Sequence, residues 1–320
     1  MIGRIIYSNV INYSINNLVQ ADIFTVQYHT KRGNNVIKIE NQETVGIFNY
    51  LLLHRFYIEH RKNDRSGIYG LTQKMMAYNS NKIEGSRLTE DQTASLFETG
   101  TVNAEGEIIF RAKDIEEMTG HFLMFNEILK TVNEPLTEKL IKKYHYCLKA
   151  GVFEDLANGY AVGEYKTRAN VVSTITTAWP EEVPHLMGKL LSEYHSKREC
   201  DLEDLAKFHV QYETIHPFQD GNGRTGRGIL FKECLKNNIT PFIIKDINKA
   251  QYYQGLKQVS DKNDYSKLVQ YFKEEQKNYL DLAKAFVIPY NIETIEELRE
   301  LLKSAMKQSR IQCQAAEQEI

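Results

Sequence analysis

From about Thr44 onward the apolar residues of this chain recur at spacings of three and four. That period restricts most of the chain to amphipathic helices packed against one another. Ile47, Leu51, Arg55 and Ile58 share a face, as do Leu71, Met75 and Asn79. Thr89, with Gln92 three residues on, reads as a capping box ahead of Leu96 and Phe97. Met118, Phe122, Phe125 and Leu129 stripe a helix predicted over 115–129, and Pro135 with Thr137 opens another carrying Leu140, Ile141, Tyr144 and Leu148. Further helices are predicted at 182–195, from Asp201 to about Ile215, from about Gly223 to Asn237–Asn238, and in a charged amphipathic tail from Ile292. Two stretches break the period. Ile23–His29, the turn-forming Lys31–Asn35 and then Val36, Ile37 and Ile39 predict an N-terminal β-hairpin, and residues 151–184 read as a long loop with a short hairpin at Val171–Thr177. The expected class is mostly α, with two small hairpins.

With 320 residues the chain holds one large domain or two. Forty Lys and Arg against forty-two Asp and Glu leave a net charge of −2, which argues against a dedicated nucleic-acid coat or a polybasic membrane binder. The tail mixes Arg299, Lys303, Lys307 and Arg310 with Glu293, Glu296, Glu297 and Glu300, the pattern of a salt-bridged surface helix. The densest apolar run, Ile47–Leu53, is far short of the ~20 residues of a membrane span, and the first twenty residues lack a signal-peptide core. Cys147, Cys200, Cys234 and Cys313 lie far apart, which fits reduced thiols and a cytoplasmic, bacterial-style protein.

One dodecamer concentrates chemistry: His216–Arg227, HPFQDGNGRTGR. Pro217 forces the chain out of the preceding helix. Asp220, Gly221, Asn222 and Gly223 follow in a loop whose small residues let backbone N–H groups converge on an anion, at the positive end of a new helix. Arg224 and Arg227, three apart, add charged donors suited to phosphate oxygens. Asp220 offers a hard oxygen ligand for Mg²⁺, which needs only one or two carboxylates besides substrate phosphates. His216 has the residue type of a general base.

The dodecamer matches every specified position of HPFx(D/E)GNGRxxR, so the chain resembles the Fic (filamentation induced by cyclic AMP) family over roughly residues 70–275. The resemblance also covers PLTEKLIKKYHYCL, GEYKTRANVV and PEEVPHLMGKLL. It implies a compact Fic-type helical bundle with a β-hairpin flap, an N-terminal extension over 1–66, a Fic domain over 67–290 and a C-terminal helix over 291–320. It further implies a protein adenylyltransferase that moves AMP from ATP, with Mg²⁺, to a Ser, Thr or Tyr hydroxyl of a target protein, itself included. His216 would be the base and Asp220 the Mg²⁺ ligand. Gly221, Asn222 and Gly223 would anchor phosphates, Arg224 the β-phosphate and Arg227 the γ-phosphate, while Phe218 packs. Tyr165, Lys166 and Thr167 fall at the flap position where a target strand docks. Tyr252 and Tyr253 fall near the base, although Ser260 stands where many relatives carry Asn.

Upstream, Ser80 and Glu84 lie one helical turn apart, ahead of Gly85 as a helix stop. They resemble the family's inhibitory motif, (S/T)xxxE(G/N), on a helix at about 71–85. That implies a class braked within one chain by Glu84 pairing with Arg227 in competition with the γ-phosphate. Two alternatives stay open: a hydrolase, or bifunctional enzyme, that removes AMP at the same site, and a catalytically idle regulatory or binding module. Oligomerisation also stays open.

Overall fold

The computed structural model describes residues 37–102, 111–172 and 175–318. Residues 23–36, most of the predicted N-terminal hairpin, lie outside them. Twelve α-helices are described, besides a 3-10 turn at Asp246–Asn248: α1 (Gln42–Arg61), α2 (Ile68–Ile83), α3 (Glu90–Thr99), α4 (Ala112–Lys130), α5 (Glu138–Lys149), α6 (Phe153–Ala157), α7 (Val183–His195), α8 (Leu202–Ile215), α9 (Asn222–Lys236), α10 (Lys249–Lys262), α11 (Ser266–Val287) and α12 (Ile295–Gln318). Between α6 and α7, β1 (Val171–Val172) and β2 (Ile175–Thr176) pair antiparallel, Val171 opposite Thr176 and Val172 opposite Ile175. Among the described residues no helix is long and apolar enough to cross a membrane.

Local chemistry sets the helix ends. Asn41 and Thr44, Thr89 and Gln92, and Asp201 and Asp204 each form reciprocal capping boxes at the starts of α1, α3 and α8. Thr137 accepts from the Leu140 N–H at the start of α5. Gly85 has φ 87°, a left-handed conformation that only glycine adopts without strain, and it ends the α2 segment as the sequence predicts. Two differences from the periodicity emerge. The loop after α5 begins with the short α6, and residues 249–287, to which the apolar spacing assigned no element, form α10 and α11. The inward face of α11 reads Leu268, Tyr271, Phe272, Glu275, Tyr279, Ala283 and Val287. A carboxylate in its middle interrupts the apolar stripe, and that carboxylate is taken up by the Asn248 amide at 2.6 Å.

Two hydrophobic clusters form the core. One gathers Tyr144, Leu148, Met187, Tyr212, Phe218 and Phe272; the other gathers Phe48, Phe56, Phe125, Phe231 and Leu298. Helices α4 and α9 contribute to both: Ile128 and Ile229 to the first, Phe125 and Phe231 to the second. Arg224 through Leu235 are all buried, so α9 runs through the centre of the molecule. Its Gly228 lets α4 approach, since a Cβ there would lie 3.1 Å from both Ile128 Cδ1 and Met124 Cε. The N-terminus of this central helix is where the dodecamer lies.

Candidate active site

His216 is the left-handed terminus of α8, with φ 53° and its N–H donated to Tyr212 O at 2.9 Å. Its Nδ1 lies 3.3 Å from Glu213 O. A carbonyl only accepts, so Nδ1 carries the proton and Nε2 keeps a free lone pair. Burial pushes this imidazole below its usual pKa, while the Glu213 carbonyl pulls the other way.

The loop that follows is clamped from several sides. Asn222 accepts from the Phe218 N–H and donates to Phe218 O, both at 2.8 Å. The fully buried Phe218 ring stacks on His145, with centroids 3.8 Å apart and planes 2° off parallel. His145 Nδ1 accepts from the Gly163 N–H at 2.9 Å, so its Nε2–H is the group that donates to Asp220 O at 2.9 Å. Burial drives His145 down to about 3, in keeping with this neutral tautomer. At Gly221 φ is 81°, and a Cβ there would press on Leu148 and Lys149 at 3.3 Å. Helix α9 then starts with no side-chain cap, leaving its first N–H groups without partners in the helix.

Asp220 accepts from the Gly221 N–H at 2.7 Å and pairs with Lys149 at 2.8 Å, Lys113 at 3.3 Å and Arg224 at 3.4 Å. Burial opposes its charge, yet Arg224 and Lys149 outweigh that and hold the carboxyl far below the usual range. Arg224 also pairs with Glu117 and donates to Asn81 Oδ1 at 3.2 Å. Lys149, 1% exposed, binds Glu117 and Asp155 as well as Asp220.

Arg227 is committed to α2. It donates through Nε to Ser80 Oγ and through Nη2 to Ser80 O, both at 2.9 Å, and pairs with Glu84 at 2.7 Å. Burial would raise the Glu84 carboxyl, but Arg227 and Arg224 prevail and lower it. A Cβ on Gly223 would fall 2.5 Å from Glu84 Oε1. The carboxylate therefore rests on the bare N-terminus of α9, where an anion is favoured. Beside it opens a cavity of ≈ 440 Å³ lined by Glu84, Lys113, Glu117, Asp220 and Arg224 among others.

Ser80, Glu84, His216, Asp220, Gly221, Gly223, Arg224 and Arg227 thus converge. Other expected residues are placed differently. The Asn222 side chain is buried and holds the Phe218 backbone through its two hydrogen bonds. Tyr252 is buried with its hydroxyl 2.8 Å from His209 Nε2, while its neighbour Tyr253 is 48% exposed. Tyr165 is turned inward, donating to Glu138 at 3.0 Å, and Lys166 is buried; only Thr167 of the three is exposed. Lys113, Glu117, His145 and Lys149 were not predicted. Lys113 and Glu117, four apart, look like an ordinary surface pair, and Lys149 looks like a helix-end lysine. Among the described residues no cluster of three or more His, Cys, Asp or Glu side chains could hold a metal alone. One ionised carboxylate on an open cavity fits a Mg²⁺ held mainly by substrate phosphates.

Residues 135–232 match the model of the Fic/DOC family. The chain is 26% identical over 293 residues to the protein adenylyltransferase Fic of Aedes aegypti, covering 86% of this chain and 57% of that one. It is 28% identical over 214 residues to its counterpart in Drosophila virilis, covering 64% and 41%. The match covers only part of each relative, 57% of the Aedes protein and 41% of the Drosophila one. Among solved structures, a Fic-domain signalling protein of Bacteroides thetaiotaomicron superposes with a TM-score of 0.54 at 24% identity, over 83% of this chain and 97% of that one. The Fic-1 protein of C. elegans does so with a TM-score of 0.56 at 19% identity, over 75% and 70%.

Proposed function

We propose that this chain is a protein adenylyltransferase held in check by its own Glu84, a reading supported by the match of residues 135–232 to the Fic/DOC family model. The observation that carries this reading is the Glu84 carboxylate lying over Gly223, on the N-terminus of α9, and paired with Arg227 at 2.7 Å. An anion site stocked with two arginines, an ionised aspartate and an imidazole with a free Nε2 suits a nucleoside triphosphate.

In the reaction, His216 Nε2 takes the proton of a Ser, Thr or Tyr hydroxyl as its oxygen bonds to the α-phosphorus of ATP. The bond from that phosphorus to the bridging oxygen breaks and pyrophosphate leaves. The chain contributes positioning and charge neutralisation, from which such transfers gain most. Arg224 and the N–H groups of Gly221 and Gly223 would face the inner phosphates, and Arg227 the γ-phosphate once Glu84 withdraws. Asp220 would hold Mg²⁺, which supplies charge neutralisation on the phosphates when bound. The exposed Tyr253 is the better of the two tyrosines for an adenine face, with Tyr252 backing it at 5.4 Å between ring centroids. The β1–β2 hairpin and Thr167 are the candidate docking edge for the target segment, with Tyr165 and Lys166 anchoring its root.

We take residues 67–290 as the catalytic domain and Ser80–Glu84 as its N-terminal inhibitory motif, in a protein of the cytoplasm. The free thiols of Cys147, Cys200 and Cys234 support that compartment. A hydrolytic second activity has its own support: Glu84 is 36% exposed beside the cavity and could orient a water against an AMP ester. The test of the main reading is incubation of the Glu84→Gly protein with α-labelled ATP, Mg²⁺ and cell lysate, beside the Glu84→Gly/His216→Ala protein. Label on protein in the first and none in the second is expected. Equal labelling removes His216 as the base, and no labelling in either removes adenylyl transfer.

A further inference from the structure

Lys166 has chemistry that the proposed reaction leaves unused. Its side chain is 2% exposed, yet no carboxylate pairs with it among the described residues. Its ammonium donates to Asn170 Oδ1 at 2.7 Å, Thr177 Oγ1 at 2.8 Å and Ile215 O at 3.5 Å. Its backbone N–H donates to Pro217 O at 2.9 Å. One residue therefore holds the carbonyls on both sides of His216. Asn170 and Thr177, which flank the β1–β2 hairpin, complete the hub. Thr177 Oγ1 donates to Asn170 O at 2.9 Å, and Asn170 Nδ2 donates to Phe218 O at 3.1 Å.

A buried ammonium with only neutral acceptors is costly, and burial lowers this one to about 8. Its three acceptors come from the loop, the hairpin's far end and the C-terminus of α8, where a cation also meets the negative end of the helix dipole. The hub has the form of a tie between hairpin and base. We propose that Lys166 is the positioning residue of His216, fastening the root of the hairpin to the α8 terminus so that a target segment on the hairpin meets the imidazole in register. This rests on the reading of His216 as the base.

The charged and titratable groups around His216 are Lys166, Glu84 and Asp220; Lys166 disfavours the imidazolium and the two carboxylates favour it. Removing the ammonium should therefore raise the His216 pKa, whereas a side chain that merely fills space would leave it alone. The experiment uses Glu84→Gly protein, so that transfer is measurable, with Lys166→Met and Lys166→Arg added singly. Histidine C–H resonances, assigned with His216→Ala, give the His216 pKa, and labelling with ATP gives kcat and KM. Lys166→Met is expected to lower kcat on the order of tenfold, with KM for ATP within about twofold, and to raise the His216 pKa. Lys166→Arg, which keeps the charge, should restore both toward the parent.

Unchanged kcat and unchanged pKa in Lys166→Met overturn the proposal, as does a loss that Lys166→Arg does not restore in either quantity. Should Lys166→Met not fold, Asn170→Ala loosens the same hub and leaves the ammonium in place. A lowered kcat at parental KM supports the tie, and a parental kcat overturns it. Retained labelling in His216→Ala would instead sink the base assignment, an outcome distinct from any result with Lys166.

Discussion

Glu84 and Asp220 are carboxylates of one site, and the arginines treat them alike: both are held ionised against the pull of burial. For Glu84 the sign of the pH dependence follows. Its folded pKa lies below the ordinary 4.5, so the attraction to Arg227 is fully present above that value and is lost only as pH falls through the lower, folded one. Mild acid should not release the brake, and labelling by the wild-type protein should stay low from about pH 8 to about pH 6. A rise toward the Glu84→Gly level across that window would contradict the pairing. Asn222 gives a second prediction. Its two bonds to the buried Phe218 backbone make Asn222→Ala cost about 1–3 kcal/mol, read as a lower midpoint in urea. At this scale the sequence was most legible where the site is contiguous. His216 through Arg227 lie on one turn and one helix start, so spacing alone foretells their meeting. Lys149 and Glu117 reach the site through tertiary packing, and nothing in their neighbours along the chain marks them.

The crossing of α4 with α5 governs how well these residues are held. A Cβ on Gly120 would sit 1.9 Å from Leu148 O, so backbone meets backbone at the residue before Lys149. Gly120→Ala should force the helices apart, costing about 1–3 kcal/mol and moving Lys149 off Asp220. A thermal melt reads the loss; a Tm equal to the parent's would mean that the crossing yields freely. Elements with a cap and an apolar stripe were readable in advance: the Thr89–Gln92 box sits where the sequence placed it, and Gly85 closes the α2 segment. Helices α10 and α11 were not assigned. The first buries only Tyr252, Gly255 and Val259, too few to mark a stripe, whereas the second carries a helical stripe from Leu268 to Val287 that only Glu275 interrupts. The short α6 has too few turns to show a period at all.

Across the whole molecule, α2, which carries Ser80, and the motif helix α9 belong to one packed body. Helix α2 lies between α1 and the site, and α12 closes the second cluster with Leu298 and Ala305 buried. Ser309 Oγ meets His54 Nδ1 at 3.0 Å, and Arg299 Nε donates to Glu43 at 2.8 Å, so the last helix ties back to the first. Ending the chain after residue 291 should lower the Tm by several degrees, since burial of each large apolar side chain contributes roughly 1.5–3 kcal/mol. An unchanged Tm would show α12 to be a passive cover. This long-range closure was invisible to periodicity, which reads one face at a time and does not say which faces meet. The central claim is that the carboxylate over Gly223 and a nucleotide phosphate compete for Arg227. Its most direct test is ATP affinity and AMP transfer measured side by side in wild type and Glu84→Gly. Tighter ATP binding and transfer faster by tenfold or more, on the order of one displaced charge contact, are expected for the variant; equal affinity and equal transfer would contradict the account.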